Sequence, residues 1–167
     1  MGYGQPDQTD RDMMALALGQ ARASLEVGGV PVGAVFTAGG QLIGAGHNER
    51  VQQGDPVAHG EIACLRNAGR RPSYADTTLY TTLSPCQMCT GAILLFQIPR
   101  VVVGEAETFE GDLGFLAVLD MMDHRDNASR RHAVTSEHVR PELASYPADR
   151  CSRDGPGEEH EIQVVGP

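Results

Sequence analysis

The sequence contains no lysine and no tryptophan, so arginine carries all of its basic charge. The 13 arginines are outnumbered by 22 acidic residues, which gives a formal net charge of -9. Nucleic-acid binding depends on clustered cationic contacts with phosphates. This charge balance therefore favours a small uncharged ligand, and nucleic acid is not an expected partner.

Long apolar runs are also absent. No stretch of the 167 residues is apolar enough for a membrane span, and the polar N-terminus lacks the apolar core of a signal peptide. The length suits one domain with a hydrophobic core of its own. We therefore expect a cytoplasmic protein that has no membrane partner.

Cysteine is sparse, with four residues: Cys64, Cys86, Cys89 and Cys151. Cys86 and Cys89 have C-x-x-C spacing in a chain without a secretion signal, which favours metal binding or redox chemistry over a disulfide. Cys64 falls within a helical apolar pattern, which predicts a small buried side chain. Cys151 lies in a polar tail, and the sequence assigns it no role.

Helices and strands alternate along most of the chain. The pattern predicts a helix capped by Thr9, a β-hairpin over 30–45, helices beginning at Asp55-Pro56 and Ser84-Pro85, and strands over 77–83 and 101–103. This order indicates a layered α/β domain. The pattern also predicts a helix over 115–122 and a strand over 161–165, and the segment from Asp123 to His160 between them has little periodicity.

Two short motifs contain candidate metal ligands, His59-Gly60-Glu61 and Pro85-Cys86-Gln87-Met88-Cys89. Cys86 and Cys89 lie three residues apart at a predicted helix start, where the helix dipole favours thiolates. His59 supplies an imidazole nitrogen from a second helix start. This set suits Zn²⁺, and three ligands predict a catalytic site that leaves one position to water. A redox C-x-x-C site is the alternative, but it would leave the His-Gly-Glu motif unexplained.

Glu61 follows the candidate ligand His59 by two residues. A lone Glu on an amphipathic helix is usually a surface charge, but this one would lie beside the metal-activated water. Zinc lowers the pKa of such a water to about 7. We therefore predict that Glu61 is the catalytic general acid and base, moving protons without ligating the metal.

Further stretches around these motifs support a family resemblance. They are Gly29-Val30-Pro31-Val32-Gly33, Gly46-His47-Asn48, Asp76-Thr77-Thr78-Leu79-Tyr80-Thr81-Thr82-Leu83-Ser84, Met88-Cys89-Thr90-Gly91-Ala92-Ile93 and Ile98-Pro99-Arg100. Over residues 28–109 the chain resembles the cytidine deaminase-like superfamily, and within it the small fungal-type cytosine deaminases and their bacterial relatives. The resemblance implies an α/β fold, a three-layer α/β/α domain with a mixed central sheet. It also implies a Zn²⁺ cofactor, a homodimer and a catalytic core over residues 1–122.

The resemblance further implies the residues of a base pocket. Asn48 would bind the ring carbonyl and adjacent ring N–H of a nucleobase, and Gly60 and Ser84 would complete the pocket. Phe109 falls where the family places an aromatic ring over the base. By its chemistry alone, Asn48 could instead form a turn, and Phe109 could instead belong to the core.

The expected reaction is hydrolytic deamination of a free nucleobase, cytosine to uracil and ammonia. Bacterial tRNA adenosine deaminases usually carry His-Ala-Glu and Glu-Pro-Cys, where this chain has Gly60 and Ser84. Isocytosine, creatinine, guanine and tRNA adenosine remain alternative substrates, and a non-catalytic zinc-stabilised binding module is a second alternative. The C-terminal segment 123–167 diverges from the family. The resemblance implies an acidic residue in a C-terminal segment that covers the pocket and contacts the exocyclic amine, and Asp149 or Asp154 is the candidate for that residue.

Overall fold

The structure is a computed structural model that describes residues 6–104, 111 and 133–135. Its helices are α1 (Gln8–Glu26), α2 (Arg50–Gln53), α3 (Gly60–Ala68) and α4 (Gln87–Leu95). Its strands are β1 (Gly33–Ala38), β2 (Gln41–His47), β3 (Thr77–Thr81), β4 (Arg100–Val103) and β5 (Ala133–Thr135). No helix in these ranges is both long and apolar enough to cross a membrane.

The strands form one mixed sheet in the order β2-β1-β3-β4-β5. Strand β1 pairs antiparallel with both β2 and β3, whereas β4 pairs parallel with both β3 and β5. Helix α4 makes the crossover that the parallel β3–β4 connection requires. The mixed sheet that the resemblance implies is confirmed.

Alternating side chains place one apolar cluster on each face of the sheet. On one face, Val35, Tyr80 and Val102 pack with Met14 and Ala17 of α1. On the other face the cluster joins strand residues to α3 and α4, and it consists of Ala34, Phe36, Cys64, Leu79, Ile93, Ile98, Val101 and Val103. Helices therefore cover both faces, which confirms the three-layer α/β/α fold. Cys64 is fully buried, as its apolar surroundings predict.

The cap of helix α1 lies two residues before Thr9, so the predicted cap is wrong. Asp7 caps the helix, and its side chain accepts a hydrogen bond from the backbone N–H of Asp10. The Asp10 carboxylate accepts the Asp7 N–H in return, completing a capping box. Asp10 also receives two hydrogen bonds from Arg100, at 2.6 and 2.8 Å, which tie the helix start to β4.

The helices that carry the two motifs also begin later than predicted. Asp55 forms a local turn, accepting the Val57 N–H at 2.9 Å, and the chain stays extended at His59 before α3 starts. A contact with the preceding loop explains the delay, because buried Ala58 uses its carbonyl to accept the Glu49 N–H. Cys86 is likewise extended, so α4 starts at Gln87 rather than at Pro85.

Several predictions lie wholly or partly outside the described residues. They concern Phe109, Asp149, Asp154, Cys151, the helix over 115–122 and the strand over 161–165. The division at residues 122 and 123 remains a prediction. Strand β5 was not predicted, because three residues are too few to show a period.

Candidate active site

The three candidate ligands meet where α3 and α4 begin. His59 is the N-cap residue of α3, Cys86 is the N-cap residue of α4, and Cys89 lies in the first turn of α4. Neither His59 nor Cys86 uses its side chain to cap its own helix. Both side chains are thereby left to point at the metal position, in the positive field of the helix termini.

The donor atoms fit a tetrahedral zinc ion. The His59 Nδ1 atom lies 3.5 Å from the Cys86 sulfur and 3.7 Å from the Cys89 sulfur. A tetrahedral ion with Zn–S of about 2.3 Å and Zn–N of about 2.0 Å separates nitrogen from sulfur by about 3.5 Å. Across the part of the chain that the structure describes, this is the one cluster of His, Cys, Asp or Glu with such spacing.

The two thiols differ in acidity. Hydrogen bonds from Cys89 and His59 lower the pKa of Cys86 to about 3, although burial opposes the shift. The bond to Cys86 and burial raise the pKa of Cys89. Because zinc is bound by thiolates, its uptake releases the remaining proton.

Glu61 is buried beside the ligands, with 3% of its surface exposed. Its Oε2 accepts a hydrogen bond from the Cys89 thiol at 3.3 Å, and its Oε1 accepts one from the Thr81 hydroxyl at 3.1 Å. Burial raises the pKa of this carboxyl, while hydrogen bonds from its own backbone and from Cys89 partly offset that shift. A raised pKa suits a group that takes up and returns protons near neutral pH.

Thr81 is a site residue that the sequence analysis missed. It is the last residue of β3, it is fully buried, and its hydroxyl proton is shared between Glu61 Oε1 and the Leu83 carbonyl. Thr81 therefore helps to orient the Glu61 carboxylate. Its position at the end of a strand that leads into the cysteine motif was the available signal.

One cavity brings two of the candidate metal ligands together with predicted base-binding residues. It is lined by Asn48, Glu61, His59, Ser84 and Cys86, with Arg50 at its side and apolar walls formed by Val30, Val32 and Leu83. The structure thus groups residues from the segment after β2, the start of α3 and the β3–α4 connection around one space. Arg50 and the apolar walls are further residues that the sequence analysis did not predict.

Backbone contacts hold Asn48 at this cavity. Its N–H donates to the Val32 carbonyl at 2.7 Å, and its side-chain oxygen accepts the Arg50 N–H at 3.2 Å. Gly60 lies against the same contact, because a Cβ atom there would be 2.9 Å from the Val32 carbonyl oxygen. His47, by contrast, lies 3.4 Å from the Gln20 side chain of α1 and is not part of the metal cluster.

Ser84 is buried at the edge of the cavity and meets Gly111. Gly111 has a positive φ of 54°, and a Cβ atom there would clash with the Ser84 hydroxyl and lie 2.7 Å from the Pro85 carbonyl oxygen. Gly111 therefore lies at the edge of the cavity, beside Ser84.

Comparison with known proteins identifies the fold and the metal. Residues 7–105 match the family model of the cytidine and deoxycytidylate deaminase zinc-binding region. The chain is 48% identical over 106 residues to a Candida albicans protein named cytosine deaminase, covering 62% of this chain and 71% of that protein. The matched region and the Cys, Cys, His donor set agree on zinc as the cofactor.

Two solved structures share the architecture. One comes from studies of A-to-I editing by tRNA:A34 deaminases, with a TM-score of 0.61 and 29% identity, covering 75% of this chain and 98% of that one. The other is a guanine deaminase from Bacillus subtilis, with a TM-score of 0.55 and 28% identity, covering 69% and 77%. The shared fold therefore spans proteins named for different bases.

Proposed function

Because the chain belongs to the family of the cytidine and deoxycytidylate deaminase zinc-binding region, we propose that it is a hydrolytic deaminase that converts cytosine and water to uracil and ammonia. The observation that carries the proposal is the single cavity in which Asn48 faces Glu61 and the ligand His59. A base-binding amide, a proton carrier and a metal ligand within one cavity suit a planar ring whose amino group is replaced.

The proton transfers are assigned to Glu61. Zinc held by His59, Cys86 and Cys89 would supply Lewis-acid chemistry that makes water a nucleophile near neutral pH. The Glu61 carboxylate takes a proton from the attacking water and delivers it to the ring nitrogen beside C4. It then moves a second proton to the departing amino group, which leaves as ammonia. The hydrogen bond from Thr81 keeps the carboxylate aimed at these atoms.

Asn48 is assigned to recognition of the base. Its amide carries both a donor and an acceptor, which match the ring carbonyl and adjacent ring N–H of cytosine. The apolar walls at Val30, Val32 and Leu83 cover the faces of a planar ring. Phe109 remains a proposed cover for the base, on the segment between Gly104 and Gly111.

Gly60 supports a free base over tRNA. A side chain at this position would press on the Val32 carbonyl, which holds the Asn48 N–H. The tRNA-type deaminases that the sequence resembles usually have alanine there, so the pocket of this chain differs from theirs at this position. The similarity to a protein named cytosine deaminase points the same way.

Guanine is the second candidate substrate, since a guanine deaminase shares the fold at 28% identity. tRNA adenosine is the third, from the similarity to a structure of tRNA:A34 deaminases. A non-catalytic zinc module is disfavoured by Glu61, because burying a carboxylate that has no catalytic use costs stability.

Ammonia release by the zinc-loaded protein tests these alternatives. The substrates are cytosine, isocytosine, creatinine, guanine and a tRNA anticodon stem-loop, each assayed beside the Glu61→Gln variant. The proposal expects the highest kcat/KM for cytosine. A higher value for guanine or the stem-loop would replace the substrate, and no turnover of any substrate by the zinc-loaded protein would favour the binding module.

We also propose a homodimer that packs through the outer face of α3 and α4. A groove there is lined by apolar residues and three arginines: Ile62, Leu65, Arg66, Gly69, Arg70, Arg71, Tyr74, Ala92 and Phe96. Leu95, which precedes Phe96 in the chain, is 76% exposed. Light scattering should give twice the chain mass for the wild type and a smaller mass for Leu95→Glu. A monomeric wild type would contradict the proposal.

We further propose that the protein works in the cytoplasm, in pyrimidine salvage. Thiolate ligands such as Cys86 and Cys89 suit a reducing compartment. Uracil as a product would return the base to nucleotide synthesis. Growth on cytosine as the sole pyrimidine source, in a host that cannot make pyrimidines, should depend on Glu61.

A further inference from the structure

Ser24 contacts the backbone of Asn48, a residue that lines the cavity. It lies near the end of α1, is fully buried, and donates its hydroxyl proton to the Asn48 carbonyl at 2.8 Å. The Ser24 oxygen in turn accepts a hydrogen bond from Gln52 Nε2 at 3.2 Å. A chain of two hydrogen bonds thus connects α2, α1 and the backbone of Asn48.

Gly29 leaves the space that this chain of hydrogen bonds occupies. A Cβ atom on Gly29 would lie 2.5 Å from the Ser24 hydroxyl oxygen and would also clash with the Gln52 amide. The Gly29 N–H donates to the Ser24 carbonyl at 2.8 Å, so the glycine is held close to the serine. The absence of a side chain at Gly29 therefore leaves room for the Ser24–Gln52 contact.

Asn48 is fixed at three points by these contacts. Val32 accepts its N–H, Ser24 donates to its carbonyl, and the Arg50 N–H donates to its side-chain oxygen. Asn48 directly follows β2, which is an edge strand, so sheet pairing does not hold it from both sides. The bond from Ser24 is the contact that ties its carbonyl to the body of the domain.

We propose that Ser24 is a positioning residue that acts through Asn48 and sets the affinity for the base. The inference rests on the proposed function only for the identity of that base. The metal ligands and Glu61 are held by α3, α4 and Thr81, none of which touches Ser24 through these bonds. Loss of the Ser24 hydroxyl therefore changes substrate binding more than the proton transfers.

The test compares Ser24→Ala with Thr77→Val. Thr77 is a matched control, because it is also buried and also donates its hydroxyl to a backbone carbonyl, that of Tyr74 at 2.6 Å. With cytosine, Ser24→Ala should raise KM by roughly tenfold and leave kcat within about twofold. Thr77→Val should leave both constants unchanged, although both variants lose some thermal stability.

A double-mutant cycle with Asn48→Ala separates positioning from general destabilisation. If Ser24 acts through Asn48, Ser24→Ala raises KM no further in the Asn48→Ala background. An equal KM increase in both backgrounds would overturn the proposal. So would a KM increase of the same size in Thr77→Val.

Amide hydrogen exchange provides a readout that does not depend on turnover. The amides of Asn48 and Arg50 should exchange faster in Ser24→Ala and at the wild-type rate in Thr77→Val. Unchanged exchange at both amides in Ser24→Ala would overturn the positioning role. Faster exchange in Ser24→Ala, with no turnover of cytosine by the wild type, would support that role while rejecting cytosine as the substrate.

Discussion

The metal side and the base side of the cavity are built in different ways. On the metal side, His59, Cys86 and Cys89 belong to two helix starts, and their side chains make the contacts. On the base side, Asn48 is held largely through its backbone, by Val32 just before β1 and by Ser24 of α1. The chemistry should therefore depend on particular side-chain atoms, whereas substrate binding should depend on the spacing between backbone segments.

The largest effect is expected from Glu61→Gln, which changes one atom on the metal side. The amide keeps an oxygen for the Thr81 hydrogen bond but cannot carry the proton. We expect kcat to fall by about 10²- to 10⁴-fold, while zinc content and cytosine KM stay close to the wild type. Timed ammonia assays measure kcat and KM, and metal analysis measures the zinc content.

Glu26→Gln is the matched control for that substitution. Glu26 is the exposed last residue of α1, so the same charge change should leave turnover unaltered. Turnover by Glu61→Gln near the wild-type level would remove Glu61 from the mechanism and would break the distinction between the two sides.

A smaller effect is expected from Gly60→Ala on the base side. The added methyl group would meet the Val32 carbonyl, a backbone atom that must move and that holds the Asn48 N–H. We expect KM for cytosine to rise by about tenfold or more with a smaller change in kcat. Gly19→Ala is the control, since Gly19 is an exposed helical glycine with open space around it. An unchanged KM in Gly60→Ala would contradict the backbone-spacing argument.

The substitution of Gly111 should have a more modest effect. Gly111 and Gly39 share a φ of 54°, so alanine is equally strained at both, but only Gly111 is crowded by Ser84 and Pro85. Gly111→Ala should raise KM by several-fold, on the scale of a displaced contact, whereas Gly39→Ala should not. Equal KM values for the two variants would show that the contact of Gly111 with Ser84 and Pro85 does not shape the pocket.

The smallest effect on activity is expected far from both sides, at the Asp10–Arg100 pair. Burial alone would raise the pKa of Asp10, but the hydrogen bonds from Arg100 and Asp7 hold it below its ordinary value of 3.8. The pair therefore stabilises the fold above pH 3.8, and this stabilisation is lost as the pH falls further.

Arg100→Met should raise the pKa of the buried Asp10, because burial then lacks an opposing cation. We expect the free energy of unfolding at neutral pH to fall by about 2 kcal/mol and acid unfolding to begin at a higher pH. Kinetic constants at neutral pH should be unchanged. Circular dichroism during an acid titration measures the shift, and identical acid unfolding of variant and wild type would contradict it.

The sequence predicted the metal side well because its information is local. The spacing of Cys86 and Cys89, and the step of two positions from His59 to Glu61, are the same whether a helix starts at Pro85 or at Gln87. The predicted helix starts were wrong because cap-like residues, Asp55 among them, can form an isolated turn instead. The later start of α3 depends on the hydrogen bond from the Glu49 N–H to the Ala58 carbonyl. This bond connects two loops and leaves no periodic pattern in the sequence.

The supporting residues of the base side could not be predicted from spacing. Ser24 and Asn48 are 24 positions apart, and a serine near the end of a helix gives no indication that its hydroxyl reaches a distant carbonyl. On the metal side, Thr81 could not be predicted either, because a threonine in a strand gives no signal until Glu61 is placed beside it. Such contacts follow from how α1, α3 and the sheet pack, and they emerge only in three dimensions.

The most direct test of the account is product analysis after incubation of the zinc-loaded protein with cytosine in water labelled with a heavy oxygen isotope. Hydrolytic deamination predicts uracil that carries one labelled oxygen, with one ammonia released per uracil, in the wild type and not in Glu61→Gln. Unconverted cytosine, or uracil formed equally by both proteins, would contradict the account.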